Sequence, residues 1–171
     1  MKLLITELSP HHDRAGFDCG ETALNHFLQR LARQQSARDF SKTYVASLPD
    51  APQIFGFYAI SSGSIDFASW PPTLRLPRYP VPVARLGRLA VDRRAQGQGV
   101  GAALLSHSVR LATTLSDQIG LYALVVDAKD DRAAAFYARH GFERFPDRPL
   151  TLFLTLDMAR HASSALLGAV H

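Results

Sequence analysis

The sequence predicts an α/β fold, a mixed sheet with helices packed on it, in a single domain spanning residues 1–171. Three observations carry that prediction. Strand-like and helix-like segments are interleaved, with a strand, helix, strand, helix core from 86 to 140. The segment LYALVVDA (121–128) is a nearly continuous apolar run, as a central strand buried on both faces requires. Finally, 171 residues of 47% hydrophobic composition suffice for one sizeable core.

In chain order, KLLITEL reads as a short strand. Residues 18–38, DCGETALNHFLQRLARQQSAR, place Leu24, Phe27, Leu28, Leu31 and Ala32 at the i, i+3, i+4 spacing of an amphipathic helix. Asp18, with Glu21 three residues on, has the pattern of an N-cap. Arg30, Arg33 and Arg38 fall on the opposite side, which solvation alone would explain. KTYVASL and QIFGFYAISSGSIDF alternate as two strands joined by a turn at Pro49, Asp50 and Pro52. Residues 69–82, SWPPTLRLPRYPVP, hold five of the ten prolines and predict an ordered excursion without regular structure. LGRLAVD (86–92) is the next strand, followed by a glycine loop and a helix to about Leu115. After LYALVVDA, the helix DRAAAFYARHG is stopped by Gly141. FERF and LTLFLTL form a closing pair of strands around the turn PDRP. The tail after Asp157 can form a helix, though nothing fixes it.

Composition narrows the classes of function. A single cysteine, Cys19, excludes an intrachain disulfide and suits a reducing compartment, with a small buried side chain as its simplest role. No stretch approaches the roughly 20 apolar residues of a membrane span, so a soluble, cytoplasmic protein is expected. No metal is expected. Of 19 basic residues 16 are arginines, and the formal charge is +4. Arginine's planar fork suits phosphate, although a GC-rich coding bias would give the same ratio.

The stretch RRAQGQGVGAALL (93–105) needs a reason, because glycine costs about 1 kcal/mol relative to alanine inside a helix. Gly97, Gly99 and Gly101 sit between a strand and a helix. The first turn of a helix leaves N–H groups without internal partners at the positive end of the peptide dipoles. Without β-carbons there, the backbone can approach an anion such as a pyrophosphate closely. A Walker loop would need Gly-Lys-Ser/Thr, and alanine follows Gly101; the dinucleotide fingerprint wants G-x-G-x-x-G, and this is G-x-G-x-G. An ordinary flexible strand-to-helix turn is the competing explanation.

R-A-Q-G-Q-G-V-G resembles the R/Q-x-x-G-x-G/A pyrophosphate loop of the GNAT N-acetyltransferases. AAAFYARHGF (133–142) is similar to that family's A-x-x-F-Y-x-x-x-G-F, in register after LYALVVDA. The resemblance implies a mixed, mostly antiparallel twisted sheet of about six or seven strands flanked by helices, with central strands splayed to admit acetyl-CoA. It places the pyrophosphate on the N–H groups of Gln96, Gly97, Gln98, Gly99, Val100 and Gly101, with Arg93 and Arg94 either assisting or simply solvated. The pantetheine arm would pair with strand backbone around Leu89, Ala90 and Val91. Asp130 and Phe136 complete the cofactor contacts, Asp130 standing where the family often has asparagine.

Tyr137 is the residue the family's motif makes catalytic, as proton donor to the leaving thiolate. A phenol of pKa roughly 10 is almost wholly protonated at neutral pH, so it suits an acid better than a base; without the motif, aromatic packing would be the simpler role. No general base stands out among His11, His12, His26, His107 and His140.

Phe17-Asp18-Cys19-Gly20, the L-N-x-F-L pattern at 24–28, LPRYPVP (76–82) and VVDAKDDRAAAFY resemble one GNAT subgroup, the aminoacyl-tRNA acetylating toxins of bacterial toxin–antitoxin pairs. That resemblance implies acetyl transfer to the α-amino group of an amino acid esterified to tRNA, which blocks translation. Such an amine has a pKa near 8 or below, so a useful fraction is neutral without a base. A polyanionic acceptor also accounts for the arginine excess, with Arg30, Arg33, Arg38, Arg75, Arg78, Arg85 and Arg88 as candidate phosphate contacts. A ribbon-helix-helix antitoxin and a homodimer are implied as partners, and Trp70 is either a dimer anchor or a local core residue. The competing functions are a GNAT enzyme acetylating a small amine or a protein N-terminus, and a non-catalytic acyl-CoA-binding module.

Overall fold

The computed structural model describes residues 2–162; of the tail discussed above, 163–171 lie outside the described residues. Among the described residues seven strands form one sheet, ordered β1-β2-β3-β4-β5-β7-β6. Contacts divide the chain into two compact units. One holds residues up to Ser61 together with Leu86–Ser108, the other Ser62–Arg85 together with residues from Val109 on. Strands β3 (Gly56–Ile65) and β4 (Val81–Val91) and helix α3 (Val100–Ser116) run through both.

In the first unit β1 (Leu4–Glu7) pairs antiparallel with β2 (Lys42–Ser47), and β2 with β3, in a register that sets Tyr44 opposite Tyr58. The apolar stripe read from the sequence does form a helix, but not from Asp18. It consists of α1 (Thr22–His26), a π-helical turn (Phe27–Leu31) and α2 (Ala32–Ala37). Two tethers compete with regular α pairing in the wide turn: Arg14 Nη1 donates to the Gln29 carbonyl (3.1 Å), and Gln29 Nε2 donates to the Phe17 carbonyl (3.0 Å). Phe27, Leu28 and Ala32 are buried with Phe17, Val45, Ile54, Phe57 and Ala90. Cys19 lies in the same cluster, the small buried side chain expected of it. Gly56 marks the closest approach in this core: a β-carbon there would lie 2.9 Å from the Ala90 carbonyl and 2.8 Å from Leu104 Cδ1.

Two sequence expectations need correction. Asp18 is not the helix cap; Glu21 stands at that position, and Asp18 Oδ1 instead accepts the Gly20 N–H and Asn25 Nδ2, each at 2.9 Å. Strand β4 begins at Val81 rather than at 86. Proline normally argues against strand, yet Pro82 lies exposed between buried Val81 and Val83, and its carbonyl accepts the Tyr122 N–H at 2.8 Å.

In the second unit β5 (Ala123–Asp127) pairs antiparallel with β7 (Arg148–Thr155), and β7 with β6 (Glu143–Phe145). The apolar run is buried as predicted, with Ala123 to Val126 at 0% exposure. Helix α4 (Asp131–Arg139) follows β5 and ends ahead of Gly141, whose φ of +93° few other residues tolerate. The proline-rich excursion contains two short 3-10 turns, Phe67–Ser69 and Pro72–Leu74. Trp70 packs edge-on to Phe145 and Phe153, centroids 4.8 and 5.0 Å away, and is a core residue rather than a surface anchor. Residues 156–162 are helical, and Arg160 ties them to Ser116 and Asp117. Among the described residues no helix is long and apolar enough to cross a membrane.

Candidate active site

The glycine loop owes its shape to Asp92. Its carboxylate, 1% exposed, caps a 3-10 turn (Arg93–Ala95) by accepting the Arg94 N–H at 2.9 Å, and takes Arg94 Nε and Nη2 at 3.0 and 3.1 Å. Burial would push Asp92 up, but these hydrogen bonds, one from the Asp18 N–H and the Arg94 charge hold its carboxyl below the usual range. The chain then extends at Gln96 and turns through two left-handed glycines, Gly97 (φ +78°) and Gly99 (φ +81°), into α3. No side chain crowds either glycine. Among the described residues the N–H groups of Gly97 to Gly101 donate to no acceptor. Successive free N–H groups in such a turn form an anion-binding nest at the positive end of a 17-residue helix.

Tyr137 lies on α4 in the second unit, 6% exposed, its ring centroid 5.3 Å from Phe136 and 5.8 Å from Phe142. Burial, with the charge of Asp127 adding to it, pushes its phenol up to about 12. Asp127, at the end of β5, is paired with Arg85 and accepts Thr151 Oγ1 at 3.2 Å. At neutral pH the Tyr137 phenol is therefore protonated and shielded from solvent.

Residues 39–144 match the acetyltransferase (GNAT) domain family, a span that takes in both the loop and Tyr137. The chain belongs to the GNAT acetyltransferase family. Among its GNAT relatives, a tRNA-acetylating toxin of Mycobacterium tuberculosis is 38% identical over 163 residues, covering 94% of each chain. Of solved structures, AtaT complexed with acetyl-methionyl-tRNAfMet matches with a TM-score of 0.86 at 30% identity, over 94% of this chain and 99% of that one. A tyrosine-to-phenylalanine mutant of the AtaT toxin, bound to the C-terminus of the antitoxin AtaR and acetyl-CoA, matches with a TM-score of 0.78 at 30% identity, over 91% and 94%.

Beyond the GNAT motifs, the structure shows a clamp on the loop that sequence reasoning missed. The Asp18 carbonyl accepts the Arg93 N–H at 2.9 Å, the Asp18 N–H donates to Asp92 Oδ2, and Asn25 Oδ1 holds the Cys19 N–H at 2.9 Å. Gln96 Nε2 bonds the carbonyls of Val91 (3.2 Å) and Cys19 (3.4 Å). Asp18 and Cys19, held by Asn25 and noted above only within a family signature, therefore brace residues 92–96. The available signal was the aspartate ahead of a tight turn, a local backbone-capping pattern.

Other candidates fall into varied settings. Arg94 is occupied with Asp92 and the Gly16 carbonyl, while Arg93 stands beside Gly20. Asp130 is the N-cap of α4, accepting the Ala133 N–H at 2.8 Å, and Phe136 is half-buried beside His140. Leu89 and Val91 are half-buried on β4 and flank buried Ala90. Of the seven arginines, Arg85 is ion-paired and Arg88 lies over the Phe27 ring at 3.9 Å; Arg38 lies over Phe40. Arg30, Arg33, Arg75 and Arg78 are exposed. Each of four histidines has a local partner: His11 and His12 bond Ser9, His107 bonds the Tyr58 hydroxyl at 2.6 Å, and His140 bonds the Phe136 carbonyl.

Proposed function

We infer that the protein is a toxin N-acetyltransferase that moves acetyl from acetyl-CoA to the α-amino group of an aminoacyl-tRNA and so blocks translation. The observation that carries this reading is the row of unpartnered N–H groups from Gly97 to Gly101, in a loop that falls within the span matched to the GNAT family. The relative named as a tRNA-acetylating toxin and the AtaT complexes with acetyl-methionyl-tRNA and acetyl-CoA support the acceptor and the donor. The family match passes through residues of both compact units, which supports one catalytic domain.

Acetyl-CoA supplies an activated acyl group as a thioester. The nest at Gln96–Gly101 holds its pyrophosphate, the β4 backbone at Leu89–Val91 aligns its amides, and Arg93 lends positive charge. Asp130 acts by starting α4 and Phe136 by walling Tyr137. Amide formation releases one proton from the amine and the departing sulfur takes up one, so transfer needs no net acid. From a phenol at about 12, full transfer to a thiolate of pKa about 8.5 is uphill by about 5 kcal/mol. Tyr137 therefore works as a hydrogen-bond donor to that sulfur, stabilising charge as it develops.

An aminoacyl-tRNA acceptor fits a cytoplasmic enzyme, and the exposed arginines Arg30, Arg33, Arg75 and Arg78 are the phosphate contacts this reading favours, ahead of the engaged Arg38, Arg85 and Arg88. A ribbon-helix-helix antitoxin and a homodimer complete it; the AtaT–AtaR complex supports an antitoxin. The test is cell-free translation with labelled acetyl-CoA. Arrest that requires acetyl-CoA, with label in the aminoacyl fraction of tRNA, is expected; label on free amines or protein N-termini alone would overturn the acceptor.

A further inference from the structure

In the first unit the loop after Ser9 and the π-helical turn border a cavity of about 440 Å³, lined by His12, Asp13, Arg14, Ala15, Gln29 and Arg30. Of these, only Arg30 has a part in the reading above, as a phosphate contact. His12 is 6% exposed, and its Nδ1 accepts the Ser9 N–H at 3.0 Å. Burial and neighbouring His11 lower its pKa, so the ring is neutral and carries its proton on Nε2. Among the described residues that N–H has no acceptor, and the residue lines the cavity.

The lining carries two cations and one carboxylate. Arg14 spends one nitrogen on the Gln29 carbonyl, and among the described residues neither Arg14 nor Arg30 has a carboxylate within ion-pair distance. Asp13 spends Oδ1 on the Gly16 N–H at 3.1 Å and keeps Oδ2 as an acceptor. Two guanidinium groups and a neutral N–H donor suit a phosphate, and an adjacent carboxylate suits a sugar hydroxyl. The site is an open groove of nucleotide size.

We propose that this cavity binds a ribonucleotide, with Arg14, Arg30 and His12 Nε2–H on its phosphate and Asp13 on a ribose hydroxyl. The nucleotide is either part of an RNA strand or free, and its RNA form rests on the aminoacyl-tRNA reading above. The cavity also touches the cofactor loop through one chain of bonds, since Gly16, held by Asp13, gives its carbonyl to Arg94.

Long-range proton–nitrogen NMR of the histidine rings of the full chain reads His12 Nε2 directly and needs neither acetyl-CoA nor transfer. Two probes are titrated separately: adenosine monophosphate, and an uncharged RNA hairpin with a single-stranded 3′ end. A saturable shift of His12 Nε2 with either is expected, weakened at least about fivefold by Arg30→Ala at an unchanged melting temperature. The tighter probe names the source, strand or free nucleotide. A resonance unmoved by both probes, or titrations that Arg30→Ala leaves unchanged, would overturn the proposal. Because no acetyl group is involved, that failure is distinct from an absence of label in tRNA.

Discussion

Burial of the Tyr137 hydroxyl has a thermodynamic signature separate from catalysis. A phenol whose folded pKa is raised from 10 to about 12 contributes stability that is complete below pH 10 and lost as pH climbs through 12. Two pH units correspond to about 2–3 kcal/mol. Urea unfolding of the parent and of Tyr137→Phe between pH 9 and 12 should therefore diverge, with only the parent losing that increment. At neutral pH the same variant should keep its affinity for acetyl-CoA and transfer acetyl about a hundredfold more slowly or worse. Asp92 behaves in the opposite sense. Its lowered pKa contributes stability that is present above the normal carboxylate pKa and is lost as pH falls through the folded value. Replacing it with asparagine removes the charge and one of the two acceptor oxygens that hold Arg94, so acetyl-CoA affinity measured by calorimetry should fall about tenfold, with a lower melting temperature and a blunted acid transition.

Among the elements, the strand-to-helix junction tolerates least change. Gly99→Ala places a β-carbon at φ +81°, a left-handed conformation that costs roughly 1–2 kcal/mol outside glycine. Weaker acetyl-CoA binding should therefore accompany a lower melting temperature. Gly56→Ala fails for a different reason, collision with the Ala90 carbonyl and Leu104, and should cost about 1–3 kcal/mol in denaturant unfolding. The loop was legible because glycine spacing directly encodes positive φ, and Tyr137 because its motif keeps register with a buried strand. The bracing of Asp92 by Asp18 was not, since that bond joins residues 74 apart in the chain. Nor was the π-helical turn, whose tethers to Phe17 and Arg14 come from outside the helix. Pro82 hid the first five residues of β4 because a proline tolerated at one strand position looks, in sequence, like a breaker.

On the scale of the whole chain, a +4 protein with several exposed arginines should bind tRNA with strong salt dependence. Changing Arg30, Arg33, Arg75 and Arg78 to glutamate should weaken binding and flatten the log–log salt slope by roughly one unit per lost phosphate contact. Equal slopes for parent and variant would remove these arginines from the interface. The division into two units raises a separate question, whether the halves melt as one, and the chain answers it with a built-in probe. Its single indole, Trp70, is sealed among Phe145, Phe153 and Tyr122 in the second unit. Blue-shifted fluorescence consequently follows that half alone, while far-ultraviolet dichroism registers helices from both; coincident midpoints would mean cooperative melting, and an early red shift would mean the half that bears Tyr137 lets go first.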